Sequence, residues 1–135
     1  MKEKRQIKVL IVDDEVDFRQ LLRFWLESKG YLVITASNGQ ESLEKIKKEN
    51  PDIVFMDLRM PVMDGCEAIK QIRQFNSDIP IIVITTYVED PKVREIINYG
   101  ISGEFYKGED FEKSLVMLES VLRTHRKLKD QLSSD

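Results

Sequence analysis

Ile7-Lys8-Val9-Leu10-Ile11-Val12-Asp13-Asp14 is an apolar run that stops on two acids. Three more runs share its form. Ile53-Val54-Phe55-Met56 stops on Asp57, Ile81-Ile82-Val83-Ile84 on Thr85-Thr86, and Glu104-Phe105-Tyr106 on Lys107. The runs ending at Val12, Met56 and Ile84 are apolar on successive residues, as in strands covered on both faces. Helical periodicity fills the segments between them. Strands alternating with helices build βαβ units and a parallel sheet. Such a sheet gathers the carboxyl ends of its strands along one edge, where ligands of open α/β sheets bind. The sequence therefore predicts three carboxylates, a hydroxyl and an ammonium in one place.

Working outward, strands are predicted near 7–12, 32–36, 52–56, 80–84 and 103–106, with helices near 15–29, 39–49, 64–75, 90–99 and 110–130. The run Leu32-Val33-Ile34-Thr35-Ala36 is less purely apolar and suits a place nearer a sheet edge. Phe18, Leu21, Leu22, Trp25 and Leu26 recur at three and four, giving the first helix one apolar face. Gly30 follows it as a left-handed C′ residue. The second helix turns Leu43 and Ile46 inward and ends before Asn50-Pro51. Asp64-Gly65 opens the third, with Ala68, Ile69 and Ile72 as its buried stripe; Asp90-Pro91 opens the fourth and Gly100 closes it. Phe111, Leu115, Leu118 and Leu122 form the docking face of the last helix. Beyond it Leu118, Val121, His125, Leu128 and Leu132 keep a three–four spacing: either a fraying helix end or a short dimerising extension.

The chain has 135 residues, the length of one domain, and can bury roughly two-thirds of its unfolded surface. With 21 Lys+Arg against 24 Asp+Glu it lacks the basic bias of a protein held to nucleic acid by phosphate contacts. One cysteine, Cys66, excludes an internal disulfide framework and suits a reducing compartment. No run approaches the ~18 apolar residues of a membrane span, and the start lacks a signal-peptide core, so a cytoplasmic location is expected.

The chemistry follows from the residue types. Asp13, Asp14 and Asp57, brought close, repel one another and raise their pKa values unless a cation joins them. Magnesium takes about six oxygen ligands, usually one or two carboxylates plus waters and phosphate. Asp57 is then a candidate nucleophile toward phosphorus. Phosphoryl transfer needs positioning and charge neutralisation more than acid–base help. The metal, the Lys107 ammonium, and the Thr85 hydroxyl or Thr86 N–H would each cover one phosphoryl oxygen. Singly, each residue has an ordinary role: a helix-capping acid pair, a turn aspartate, a strand-end threonine, a solvated lysine. Their joint placement at strand ends selects the functional reading.

Four segments carry a resemblance. They are Val9-Leu10-Ile11-Val12-Asp13-Asp14-Glu15, Asp57-Leu58-Arg59-Met60-Pro61-Val62-Met63-Asp64-Gly65, Pro80-Ile81-Ile82-Val83-Ile84-Thr85, and Gly100-Ile101-Ser102-Gly103 leading to Lys107. Across about residues 6 to 123 the chain resembles the receiver domain of two-component response regulators. The resemblance implies a flavodoxin-like, doubly wound parallel sheet in order 2-1-3-4-5 with helices on both faces. It implies residues 1–123 as a receiver domain and 124–135 as a helical extension or linker remnant. It implies Asp57 as acceptor of a phosphoryl group from a phosphohistidine on a sensor kinase or phosphotransfer protein. Asp14 and Asp57 would bind Mg2+ directly, Asp13 through water, and the Arg59 carbonyl would complete the ligands. Thr85 and Lys107 would sense the phosphoryl group. The face of the fourth helix, fifth strand and fifth helix would then shift to meet a second copy or an output. Such a chain is a switch that catalyses only its own phosphorylation and dephosphorylation.

Departures from the family pattern carry their own expectations. Gly108 stands after Lys107 where the family usually has a cis-bonded proline; a cis bond without proline costs about 2.5–4 kcal/mol. A trans or rearranged loop is expected, with a looser hold on Lys107. Glu104 stands where a Tyr or Phe usually swings inward with the switch; a buried glutamate is costly, so Glu104 should stay outward and that aromatic switch should be missing. Thr86 replaces a small residue; its added bulk near the phosphoryl group should be tolerated while narrowing access. Arg59 and Tyr87 occupy the two positions that tune loss of the phosphoryl group to water; their bulk predicts slow self-dephosphorylation. Two competing readings remain: a pseudo-receiver that signals without phosphate, and a hydrolase with an aspartyl-phosphate intermediate, for which there is no room for a cap.

Overall fold

The structure is a computed structural model that describes residues 6–87, 89–108 and 111–132, the side chains of 111, 112 and 125–132 excepted. Among these residues five strands alternate with five helices. The order is β1 (Lys8–Val12), α1 (Val16–Ser28), β2 (Leu32–Ala36), α2 (Gly39–Glu49), β3 (Ile53–Asp57), α3 (Gly65–Phe75), β4 (Ile81–Thr85), α4 (Pro91–Ile96), β5 (Gly103–Tyr106) and α5 (Phe111–Leu132). All strand pairs are parallel, in the order β2-β1-β3-β4-β5. This is the expected flavodoxin-like sheet. β2 and β5 are its edges, and Leu32 on β2 is exposed, as its mixed composition suggested.

Period-two alternation divides each central strand between two cores. Leu10, Val12, Val54, Met56, Ile81 and Val83 pack beneath α2, α3 and α4 with Leu43, Ile46, Ala68, Ile69, Ile72, Val93 and Ile96. Val9, Ile11, Ile53, Phe55, Ile82 and Ile84 pack on the other face with Leu22, Leu26, Phe105, Leu118 and Leu122 of α1, β5 and α5. Both faces of β1, β3 and β4 are therefore covered, which is why their sequences are continuously apolar.

The boundaries follow local chemistry. Asn38, Asp64 and Asp90 cap α2, α3 and α4, each accepting a backbone N–H of the first turn. Gly30 and Gly100 take positive φ at +93° and +79°, where a side chain would be strained. Asn50 does the same at φ 50° before Pro51 stops α2.

Several expectations are corrected. Asp57 and Thr85 are the last residues of their strands rather than the first beyond them. The predicted fourth helix is six residues of α-helix followed by a 3-10 turn, Ile97–Tyr99. Leu21 is half exposed: at 3.6 residues per turn the inward stripe of α1 is carried by Leu22 and Leu26, and Leu21 lies to its side. Leu118 is fully buried on the sheet, so it is a core residue and not free for an intermolecular seam. Val121, the next residue of that seam, is half-buried against the same core, while His125, Leu128 and Leu132, and Phe111 of the docking face, lie outside the described side chains.

Candidate functional site

The register places Asp57 beside Ile84, and pairs Thr85 with Tyr106, so the ends of β3, β4 and β5 step along one edge. The pairing runs one residue past β3 and β5. The Leu58 N–H donates to the Ile84 carbonyl at 3.2 Å, and the Lys107 N–H donates to the Thr85 carbonyl at 3.0 Å. Gly65 lets the start of α3 press against the β3 terminus: a Cβ there would stand 2.2 Å from the Asp57 carbonyl oxygen. Only glycine permits that approach.

Asp13, Asp14 and Asp57 each offer a carboxylate oxygen, and these lie within 4.8 Å of one another. Asp13 is fully buried, Asp57 is buried, and Asp14 faces solvent. Asp13 Oδ1 accepts the Glu15 N–H at 2.9 Å. Its Oδ2 lies 2.9 Å from Lys107 Nζ, an ion-pair contact without hydrogen-bond geometry. Lys107 Nζ is 3.6 Å from Asp57 Oδ2 and also pairs with Glu15. Asp57 Oδ1 accepts the Arg59 N–H at 3.2 Å.

Burial and charge together set the titration. Burial, then the Asp13 charge, push Asp57 up from the ordinary 3.8 to about 7, against the pull of Lys107 and the Arg59 N–H. Burial would lower Lys107, but Glu15, Asp13 and Asp57 outweigh it and hold the ammonium above its usual value. One cation thus serves three acids. Oxygen-only ligands at this spacing are a hard-donor set that fits Mg2+ and does not favour a softer metal.

Lys107 is held more firmly than expected. Among the described peptide bonds none is cis, and Gly108 turns the chain at φ +97°. The Lys107 ammonium stands over the Phe18 ring, Nζ 4.7 Å from its centroid. Phe18 in turn packs edge-on against Phe105, centroids 5.8 Å apart. Phe105 is fully buried, whereas Glu104 is partly exposed and accepts the Tyr106 hydroxyl. An outward Glu104 is what the sequence predicts.

Thr85 and Thr86 are placed differently from the acids. Thr86 is exposed. Thr85 is buried, and its hydroxyl donates to Asp90 Oδ2 at 2.9 Å. Asp90 also receives the Arg59 guanidinium in a fork, Nε to Oδ2 at 3.1 Å and Nη2 to Oδ1 at 2.7 Å. The guanidinium faces the Tyr87 ring, 5.4 Å from its centroid. Sequence reasoning missed Glu15, Phe18 and the Asp90 fork. Asp90 was legible only as a helix cap, because nothing local reveals a partner 31 residues away.

A family model described as "Response regulator receiver domain" matches residues 9–119. The chain belongs to this family. The receiver domain is 34% identical over 125 residues to the transcriptional regulatory protein ZraR of Klebsiella oxytoca, covering 93% of this chain and 28% of that protein. It is 35% identical over 106 residues to sporulation initiation phosphotransferase F of Bacillus subtilis, covering 78% of this chain and 86% of that one. A chain from the solved CheX-CheY-BeF3-Mg+2 complex of Borrelia burgdorferi superimposes with a TM-score of 0.77 at 33% identity, over 86% of this chain and 89% of that one. The receiver therefore spans little more than a quarter of one curated relative and most of another. Receiver domains are signalling switches of two-component systems, bind Mg2+ in an acidic pocket, and partner with histidine kinases or phosphotransfer proteins. Among the described residues no helix is long and apolar enough to cross a membrane.

Proposed function

We propose that this receiver accepts a phosphoryl group on Asp57, in a Mg2+-dependent transfer from a phosphohistidine on a sensor kinase or phosphotransfer protein. The observation that carries the proposal is the buried Asp57 carboxylate, clustered with two further acids and 3.6 Å from a largely buried ammonium. An Asp57 oxygen attacks phosphorus, and the phosphorus–nitrogen bond of the donor breaks. The electron pair stays on the imidazole nitrogen, which takes a proton from solvent. Asp13, Asp14, Asp57 and the Arg59 carbonyl would hold Mg2+, which supplies charge neutralisation at one phosphoryl oxygen. Lys107 neutralises a second oxygen as a point charge. The Thr85 hydroxyl or the Thr86 N–H donates to the third.

Residues 1–123 act as the receiver and 124–135 as a helical extension, in a cytoplasmic pathway. The phosphoryl group adds charge at one sheet edge, and the face of α4, β5 and α5 relays it to a second copy or an output. Arg59 and Tyr87, bulky and in contact with each other, slow attack by water.

Intact mass after incubation with acetyl phosphate or phosphoramidate, with and without Mg2+, tests the proposal. One Mg2+-dependent phosphoryl adduct is expected, absent in Asp57→Ala. No adduct under any condition would replace the proposal with an interaction module that signals without phosphate.

A further inference from the structure

We infer that Asp90 is a built-in competitor for the Thr85 hydroxyl, locked in place by Arg59, and that a phosphoryl group on Asp57 must take Thr85 away from it. The inference rests on the phosphoacceptor reading of Asp57 and adds a positioning residue to it.

The hydrogen-bond inventory forces the competition. A hydroxyl has one proton to give. Thr85 Oγ1 has two acceptors in reach, Asp90 Oδ2 at 2.9 Å and the Tyr87 carbonyl at 3.2 Å, and itself accepts the Tyr87 N–H at 3.2 Å; the shorter bond, to an anion, is the stronger of the two. The same proton cannot also reach a phosphoryl oxygen. Asp90 is itself an anion, so this is a charge-assisted bond of the kind a phosphoryl oxygen would offer. The unphosphorylated site thus carries a carboxylate where phosphate would later compete.

Asp90 cannot simply move aside. Its side chain is fully buried, and its two oxygens accept four hydrogen bonds: Oδ2 from Arg59 Nε and Thr85 Oγ1, Oδ1 from Arg59 Nη2 and the Lys92 N–H. Burial would raise its pKa, but the bonds from Arg59, Lys92 and Thr85 outweigh that and hold it below the usual carboxylate value. Arg59 belongs to the loop after β3 and Asp90 to the loop after β4, so the fork ties the two loops beside Asp57 together. Capping α4 explains only part of this. A cap needs one oxygen, the one facing Lys92 N–H, and asparagine or serine would serve as well. The other oxygen and the charge face Thr85 and Arg59.

Asp90→Asn keeps the cap and removes the charge. Asp90→Ser keeps the cap and is too short to reach Thr85. Both are measured for binding of beryllofluoride with Mg2+ by calorimetry, together with the Thr85 amide shift, in the wild-type and Thr85→Ala backgrounds. Thermal unfolding without ligand establishes that each variant is folded. Freeing Thr85 should tighten binding about tenfold, or ~1.4 kcal/mol, and should move the free-state Thr85 amide resonance toward its bound position. In the Thr85→Ala background the Asp90 substitutions should change nothing, since the coupling runs through the hydroxyl. Unchanged affinity in both Asp90 variants, with normal wild-type binding, would overturn the inference and leave the phosphoacceptor reading intact. Tightening that persists without the Thr85 hydroxyl would overturn it too, assigning the effect to the freed Arg59. Wild-type protein that binds no beryllofluoride would overturn both readings.

Discussion

Replacing Asp57 with asparagine should stabilise the metal-free fold, and the gain should depend on pH. Burial and the Asp13 charge lift the Asp57 pKa from 3.8 to about 7. At ~1.4 kcal/mol per tenfold change in proton affinity, that difference caps the penalty of the ionised carboxylate at about 4 kcal/mol. Asparagine has nearly the shape of the neutral acid and can still accept the Arg59 N–H that Asp57 Oδ1 accepts at 3.2 Å. The Lys107 attraction is already contained in the shift. An expected gain of ~2–4 kcal/mol at pH 8 in chelator follows. The sign is set by proton binding. Because the folded pKa is the higher one, the folded chain binds more protons than the unfolded chain between about pH 4 and 7. Wild-type stability therefore falls as pH rises through that window, and the variant lacks this loss. Urea unfolding from pH 4 to 8 should show the two proteins nearly equal at the acid end and separating as pH rises. Mg2+ should narrow the gap at pH 8, since an ion bound only by the folded wild type stabilises it. A gap independent of pH, or a variant less stable than wild type at pH 8, would sink this account of the site's electrostatics.

Other perturbations read out different parts of the structure. Val62 sits almost fully exposed at φ 71°, a left-handed conformation that burdens a β-branched residue; Val62→Gly should add about 1 kcal/mol of stability in urea unfolding, and a loss would contradict it. Gly65→Ala places a methyl group against the Asp57 backbone, so a loss of roughly 1–3 kcal/mol and slower labelling by acetyl phosphate are expected; a wild-type melting curve would refute the close approach. Arg59→Asn with Tyr87→Ala removes the guanidinium–ring contact; phosphoryl loss, followed by mass spectrometry, should accelerate about tenfold, and an unchanged half-life would show that the pair does not slow it.

What the sequence made legible was whatever depends on period and position. Continuous apolar runs ending on Asp13, Asp57 and Thr85 disclosed central parallel strands and their common edge, because both faces of those strands must be dry. Asp64, Asp90 and Gly100 disclosed helix ends, because caps are local chemistry. Partner choice among long side chains was not legible. Glu15 on Lys107, and Arg59 on Asp90, are pairings across loops, fixed by how far a loop bends and not by any spacing in the chain. Gly108 misled for a related reason. The missing proline suggested a looser Lys107, yet its hold comes from the Thr85 carbonyl, the Phe18 ring and the acids, none of which requires a particular residue at position 108.

The charges at the sheet edge divide into two unlike groups. Asp13, Asp57 and Glu15 all pair with Lys107, and Asp14 stands beside them, so the acids outnumber the ammonium that binds their carboxylates and Asp57 is left reluctant to ionise. Asp90 and Arg59 form a matched pair, with Thr85 bonded to it, so the threonine side is neutral and satisfied. A cation alone would relieve the first group without offering the Thr85 hydroxyl a new acceptor. An anion alone would be repelled by the first. Only a cation and a phosphoryl group together change both: the cation neutralises the acids, and the phosphoryl oxygen offers Thr85 an acceptor to rival Asp90. The arrangement therefore acts as a coincidence requirement. Mg2+ without a phosphoryl group should leave the Thr85 amide environment unchanged while shifting that of Asp13, and a shift of both by Mg2+ alone would show that the two groups are not separate.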